Sequence, residues 1–315
     1  MSEMIVEVRD LWKYFGAIQA VRGISFDLQR GHVIGFIGAN GSGKTTTMRM
    51  MAGLDLPSSG TIRVAGYDVV HYPHKVQEIL GWMPDAFGVY DNVTVEEYLD
   101  FYARAYWLYG AQRRARVEEV MEFADLKPIS DRLMNALSKG MAQRLCLGRT
   151  LLNDPEFLIL DEPAAGLDPK ARLEFKNVVR LLSERGKTIF ISSHILSELE
   201  EMCDSLLFID RGTIVHQGVA EDLKQTTSEN CVISVLVHGD PRVLEHWARN
   251  NPGVELKESL KRGARLRFEQ NDPLELSHQL KKMLNDGVDV IDFHREEQRL
   301  EDAFVQILKR ERGGS

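Results

Sequence analysis

The run HVIGFIGANGSGKTT, His32 to Thr46, constrains the possible fold more than any other stretch of the chain. It opens with a short apolar segment, His32 to Gly38, of the kind that forms a strand buried on both faces of a parallel sheet. A glycine-rich loop follows, and its residues from Gly38 to Thr46 fit the phosphate-loop pattern G-x-x-x-x-G-K-[ST]. A helix is expected next, so strand, loop and helix stand in the order that the chemistry requires. Gly41 and Gly43 lack a Cβ and let the backbone curl until several N–H groups point at phosphate oxygens. The positive end of the following helix faces the same anion. Asn40, Gly41, Ser42, Gly43, Lys44, Thr45 and Thr46 are therefore candidate phosphate contacts, with Lys44 reaching the outer phosphates and Thr45 placed to ligate Mg²⁺. Kinases, GTPases and motors share this loop, so it implies nucleotide binding without fixing the reaction.

Downstream, FLILDEP sets Asp161 and Glu162 at the end of a second apolar run, the edge where parallel sheets hold ligands. Asp161 is a candidate Mg²⁺ ligand. Glu162 is a candidate general base toward water attacking a γ-phosphate. A third apolar run, TIFIS, leads to His194, whose imidazole could hydrogen-bond that phosphate. Ser138, Lys139 and Gly140 in ALSKGMAQRL stand at the mouth of another expected helix, a second small-residue site for an anion.

The chain is long for one core and suits two domains: 315 residues, 43% apolar and 27% charged. The first, 1–225, alternates strand-like and helix-like runs. Between residues 94 and 153 no strand is convincing, and Thr94 with Glu97 forms a capping box, so a helical insertion in an α/β core is expected. TTSEN, Thr226 to Asn230, reads as a linker. Beyond it, 226–311, VISVLV, VELKES, RLRFEQ and VDVIDFH are expected strands. Asp240-Pro241 and Asp272-Pro273 are expected to open helices as N-cap and first helical residue. The order β-α-β-β-α-β is ferredoxin-like. A last helix is expected from the stripe Leu300, Ala303, Phe304, Ile307 and Leu308.

Net charge of −8 argues against a general nucleic-acid binder. Three scattered cysteines offer neither a disulfide framework nor a zinc site, and His238, His246, His278 and His294 lack metal spacing. No apolar run reaches the ~18 residues of a membrane span, and the acidic N-terminus does not read as a signal peptide. A cytoplasmic chain is expected.

The phosphate loop, LSKGM followed by QR, LILDEP, AGLD and the terminal His occur in one order. As a set over about residues 4 to 220 they resemble the nucleotide-binding subunit of an ATP-binding cassette (ABC) transporter. The segment after the linker resembles the accessory domain of drug- and ion-export ATPases that partner ABC-2-type membrane subunits. The resemblance implies a P-loop NTPase cassette with a parallel sheet core, an antiparallel β subdomain and a helical insertion. It implies ATP and Mg²⁺ as cofactors, ATP hydrolysis, a separate membrane permease, and a peripheral place on the cytoplasmic face of the membrane. It implies a head-to-tail dimer, of identical or paralogous subunits, in which Ser138, Gly140 and their helix cap the γ-phosphate held by Lys44 of the other copy. Phe15 corresponds to the aromatic that stacks on adenine, and Asp168 belongs to the loop that meets the opposite subunit. Two positions depart from the common pattern. Lys139 and Met141 stand where Gly and Gln are usual, which leaves the ribose contact without a donor. Asp85 stands where a Gln usually couples Mg²⁺ to the membrane partner. A soluble ABC-type ATPase acting on a ribosome or on DNA, and a regulatory module with little turnover, stay open beside the exporter. So do bracing and regulation as roles for the C-terminal domain.

Overall fold

The computed structural model describes residues 3–86, 88–200, 202–219, 232–269 and 272–295. The linker expected at 226–230 and the apolar stripe from Leu300 to Leu308 lie outside the described residues. The chain divides into two compact units, Met1–Ala220 and Glu221–Ser315.

In the first unit, strands β1 (Met4–Phe15) and β2 (Ile18–Gln29) form a long antiparallel hairpin, extended by β4 (Ser59–Val64) and β5 (Tyr67–Asp68). The order of this sheet is β2-β1-β4-β5. A second sheet contains β3 (Val33–Ile37), β6 (Leu80–Met83), β7 (Phe157–Leu160), β8 (Thr188–Ser193), β9 (Ser205–Asp210) and β10 (Thr213–Gly218). Its order is β10-β9-β3-β8-β7-β6, parallel except for the β9–β10 hairpin. Strands β3, β7 and β8 are buried at every position, as their unbroken apolar runs imply. Strand β6, LGWM, was not anticipated from the sequence. It is four residues long and carries a glycine, too little for a period to show, and pairing with β7 makes it a strand.

The two sheets share one hydrophobic core. Phe26 of β2 meets Phe36 of β3 and Phe190 of β8, with ring centroids 6.5 and 6.2 Å away, and Phe36 lies 4.9 Å from Phe190. Each such buried ring contributes about 1.5–3 kcal/mol over its exposed state, so this trio holds the antiparallel sheet against the parallel one.

Helix α1 (Lys44–Met51) follows β3, and α2 (Pro73–Ile79) precedes β6. The region after β6 is helical: α3 (Val95–Ala105), α4 (Gly110–Phe123) and α5 (Lys139–Leu151). The capping box expected at Thr94 is present in both directions. The Thr94 hydroxyl accepts from Glu97 N–H at 3.3 Å, and Glu97 accepts from Thr94 N–H at 2.9 Å. Helices α6 (Pro169–Glu184) and α7 (Leu196–Glu200) flank β8.

The second unit contains β11 (Val232–Val237), α8 (Arg242–Asn250), β12 (Val254–Leu260), β13 (Gly263–Phe268), α9 (Pro273–Asn285) and β14 (Val290–Arg295). Its antiparallel sheet runs β12-β13-β11-β14, the ferredoxin-like arrangement. Val235, Leu244, Trp247, Leu266 and Met283 belong to its core. Asp272 caps α9 as expected, accepting from the N–H groups of Leu274 and Glu275. At α8 the expectation shifts by one residue. The cap position is Pro241 with no side-chain cap, and Asp240 accepts from Arg242 N–H at 3.0 Å from just outside the helix.

Thr94→Ala removes the reciprocal cap of α3. It is expected to weaken the first turn by about 1 kcal/mol, seen as roughly fivefold faster amide exchange in that turn.

Candidate active site

The loop between β3 and α1 is shaped by close backbone approach. A Cβ on Gly38 would stand 2.4 Å from the Ile209 carbonyl oxygen and 2.5 Å from the Ser42 hydroxyl. Gly43 has φ 110°, and a Cβ there would meet the Ala20 carbonyl at 2.6 Å. Gly212 N–H donates to Ser42 O at 2.8 Å, tying the loop to the β9–β10 turn. Gly43 is the N-cap of α1 and supplies no side-chain cap, so the first N–H groups of the helix keep their capacity for an external anion.

Lys44 is 5% exposed, a value that demands partners for its charge. Its Nζ donates to Gly38 O at 2.6 Å and lies 3.3 Å from Glu162 Oε1. Glu162 Oε2 is 2.8 Å from His194 Nδ1. A continuous chain of groups therefore runs from the phosphate loop, through the carboxylate after β7, to the imidazole after β8. Glu162 Oε1 and the Ser42 hydroxyl are buried and find no hydrogen-bond partner among the described residues. A phosphate-bearing ligand and its water would supply the missing donors and acceptors.

Asp161 is buried at the end of β7. Its N–H donates to Met83 O at 2.9 Å, and its Oδ1 accepts from the Ser192 hydroxyl at 2.7 Å. Thr45 also hydrogen-bonds its carboxylate. Burial raises the Asp161 pKa, opposed by those two hydrogen bonds and reinforced by the like charges of Glu162 and Asp85. Thr45 and Asp161 thus meet, and Asp85 lies near enough for its charge to act on Asp161. Oxygen donors with crowded negative charge fit a hard divalent cation that takes few protein ligands and completes its shell with water and phosphate.

Glu162 has φ 47°, in the left-handed region, which costs an L-residue on the order of 1 kcal/mol. Its N–H donates to Ser192 Oγ at 2.8 Å. Sequence reasoning passed over Ser192, two residues before His194. Its strand TIFISS holds three hydroxyl residues, and nothing in their spacing marks Ser192. Gln143 was noted only as part of a motif. It is buried, and its Nε2 donates to Pro163 O at 2.7 Å, joining α5 to the turn that carries Glu162.

Ser138 is the N-cap of α5, its hydroxyl accepting from Met141 N–H at 3.4 Å. The Lys139 side chain folds back, so that a Cβ on Gly166 would lie 2.4 Å from Lys139 Nζ. Asp168 caps α6, accepting from Ala171 N–H at 2.9 Å. Ser138, Lys139, Gly140 and Asp168 thus form a second cluster. Among the described residues no hydrogen bond or ion pair joins it to Lys44. Phe15, at the end of β1, is 50% exposed, outside the core, with Lys13 Nζ 5.0 Å from its ring centroid.

A phosphate loop on a parallel sheet, with two acids and a histidine at the ends of neighbouring strands, defines a P-loop nucleotide hydrolase. The comparisons carry this further. The sequence profile of the family "ABC transporter" matches residues 21–165. The Nod factor export ATP-binding protein I of Ralstonia nicotianae is 38% identical over 239 residues, 76% of this chain and 74% of that protein. The protein of the same name in Burkholderia lata is 34% identical over 306 residues, 97% of each chain. A solved structure described as the ATP binding subunit of an ABC transporter aligns with TM-score 0.65 and 29% identity, covering 71% of this chain and 93% of that one. The chain belongs to the ABC transporter family, as one of its ATP-binding ATPase subunits.

Because the folded state holds the Asp161 proton more tightly than the unfolded state, the ionised form opposes folding at neutral pH, and this penalty fades as pH falls. In metal-free buffer, Asp161→Asn is therefore expected to melt above the parent at pH 7. The gap should narrow as pH approaches about 4, the unfolded carboxylate range.

Proposed function

We propose that this chain hydrolyses ATP to drive an ABC-2-type membrane exporter, acting as a head-to-tail dimer on the cytoplasmic face beneath a separate permease. The observation that carries the catalytic part is the alignment of Lys44 Nζ, the Glu162 carboxylate and His194 Nδ1 within 3.3 and 2.8 Å. The relatives named for export support the transport part. Among the described residues no helix is long and apolar enough to cross a membrane; the separate permease is part of this reading.

In this reading the loop N–H groups and the N-terminus of α1 bind the phosphates. Lys44 leaves Glu162 and Gly38 O for the outer phosphate oxygens. That frees the Glu162 carboxylate to take a proton from water as the water oxygen attacks the γ-phosphorus in line and the bond to the β–γ bridging oxygen breaks. His194 orients Glu162 through Nδ1–H. Thr45, Asp161 and Asp85 would hold Mg²⁺, which neutralises phosphate charge when bound. Phe15 offers an exposed ring to the adenine. Ser138, Gly140 and the N-terminus of α5 would complete the site of the opposite subunit, with Asp168 at the seam and the Lys139 ammonium near the same phosphate. The C-terminal unit is read as the accessory domain that braces the dimer.

The groove of about 480 Å³ lined by Tyr90, Val93, Tyr98, Phe101 and Arg104 is the surface we assign to the permease.

Glu162→Gln is expected to lower turnover by 10²–10⁴ while retaining ATP binding, and to accumulate an ATP-dependent dimer on light scattering. Parental turnover in that variant would remove Glu162 from its role. Lys44→Ala is expected to lose ATP affinity by at least tenfold in a fluorescent-nucleotide titration, and unchanged affinity would contradict its assignment.

A further inference from the structure

The hydroxyl of Ser192 stands at the junction of the two acids on which the proposed reaction depends. It accepts a hydrogen bond from Glu162 N–H at 2.8 Å and donates one to Asp161 Oδ1 at 2.7 Å. One oxygen thereby fixes the main chain of one acid and the side chain of the other. Ser192 is completely buried, so water cannot substitute for either bond. It faces Phe36 in the register of β3 with β8, inside the rigid parallel sheet, which gives it little room to move.

Geometry shows why such a clamp is needed. Glu162 occupies the left-handed region at φ 47°, where a side chain other than glycine stays only if its surroundings hold it. That turn aims the Glu162 carboxylate at Lys44 and His194. An ordinary extended conformation would send it elsewhere, because β-strand side chains alternate faces and Asp161 already occupies the adjacent position. The N–H to Ser192 bond secures this turn at Glu162 itself, beside the Gln143 bond to Pro163 O one residue on. The same hydroxyl fixes one oxygen of Asp161, a carboxylate that Thr45 also hydrogen-bonds.

We infer that Ser192 is a positioning residue for ATP hydrolysis, holding the Glu162 backbone turn and the Asp161 carboxylate in register through a single hydroxyl. This rests on the assignment of Glu162 as base made above. Outer contacts of this kind commonly change activity or metal affinity by about 10–100-fold when removed.

Ser192→Thr and Ser192→Val are the decisive pair, because they crowd the strand equally and differ only in the hydroxyl. Ser192→Val and Ser192→Ala are expected to lose about 10–100-fold in kcat and to need more Mg²⁺ for half-maximal rate. Affinity for a fluorescent ATP analogue in EDTA should stay within about twofold, since the phosphate loop is untouched. Ser192→Thr should recover most of the rate, and the Glu162 amide should exchange faster in the Val and Ala variants than in the Thr variant. Parental kcat in Ser192→Val, or an equal loss in Ser192→Thr, overturns the inference. So does a fall in EDTA-state nucleotide affinity that matches the fall in rate. Glu162→Gln measured alongside separates the two readings. If that variant is inactive while Ser192→Val is fast, only the role of Ser192 fails. If that variant is active, the assignment of the base fails.

Discussion

Burial of the Lys44 ammonium is the constraint around which the site is built. A compact, strongly hydrated cation cannot leave water without paired charge and hydrogen bonds. Here the compensation comes from Gly38 O and from the carboxylate of Glu162, a residue far away in sequence. That pairing requires the C-terminal ends of β3 and β7 to lie at the same edge of one parallel sheet, with β8 between them. The parallel order of the sheet, the glycines that let the loop close and the aromatic trio beneath it all serve to bring one lysine to one glutamate.

The same arrangement is poised for its ligand. Asp161, Glu162 and Asp85 are close enough that burial and like charge hold Asp161 above its ordinary pKa. Glu162 keeps one buried oxygen without a hydrogen-bond partner, as Ser42 does its hydroxyl. Its backbone is held in an unfavourable region by a buried serine. Each of these features opposes stability; a nucleotide phosphate with its cation and water would offset the crowded charge and the unpartnered polar atoms, whereas the backbone turn keeps its cost. Locally unfavourable features at a binding site are the usual mark of stability yielded to function. The ion pair of Lys44 with Glu162 belongs to the same logic, since two buried opposite charges are held against each other there.

Much of this was legible in the chain. Strands β3, β7 and β8 announced themselves as short apolar runs, α3 by its capping box, and the second unit by four strand patterns with two Asp-Pro helix starts. These signals are local, set by side-chain period and backbone preference over a few residues. Strand β6 escaped because its four residues carry no readable period and its strand state depends on β7. The one-residue shift at α8 has a similar origin. Asp240 can bond Arg242 N–H from outside the helix as well as from its cap, and only the backbone geometry around it decides which.

The sequence alone determined which chemical groups are present: a phosphate loop whose glycines admit close backbone approach, two consecutive acids after a buried strand, a histidine after another, and small residues at a second helix start. It did so because such motifs depend on residue type at short spacing. Only the tertiary structure decided which of these groups meet. It set Lys44 against Glu162 and His194, drew Asp85 toward Asp161, and laid Lys139 on Gly166. It also gave Ser192, unremarkable in a strand, the place between the two acids. Strand order and the depth of a buried pocket join residues far apart in the chain, Lys44 and Glu162 by more than a hundred positions, and no local pattern of side chains encodes that distance.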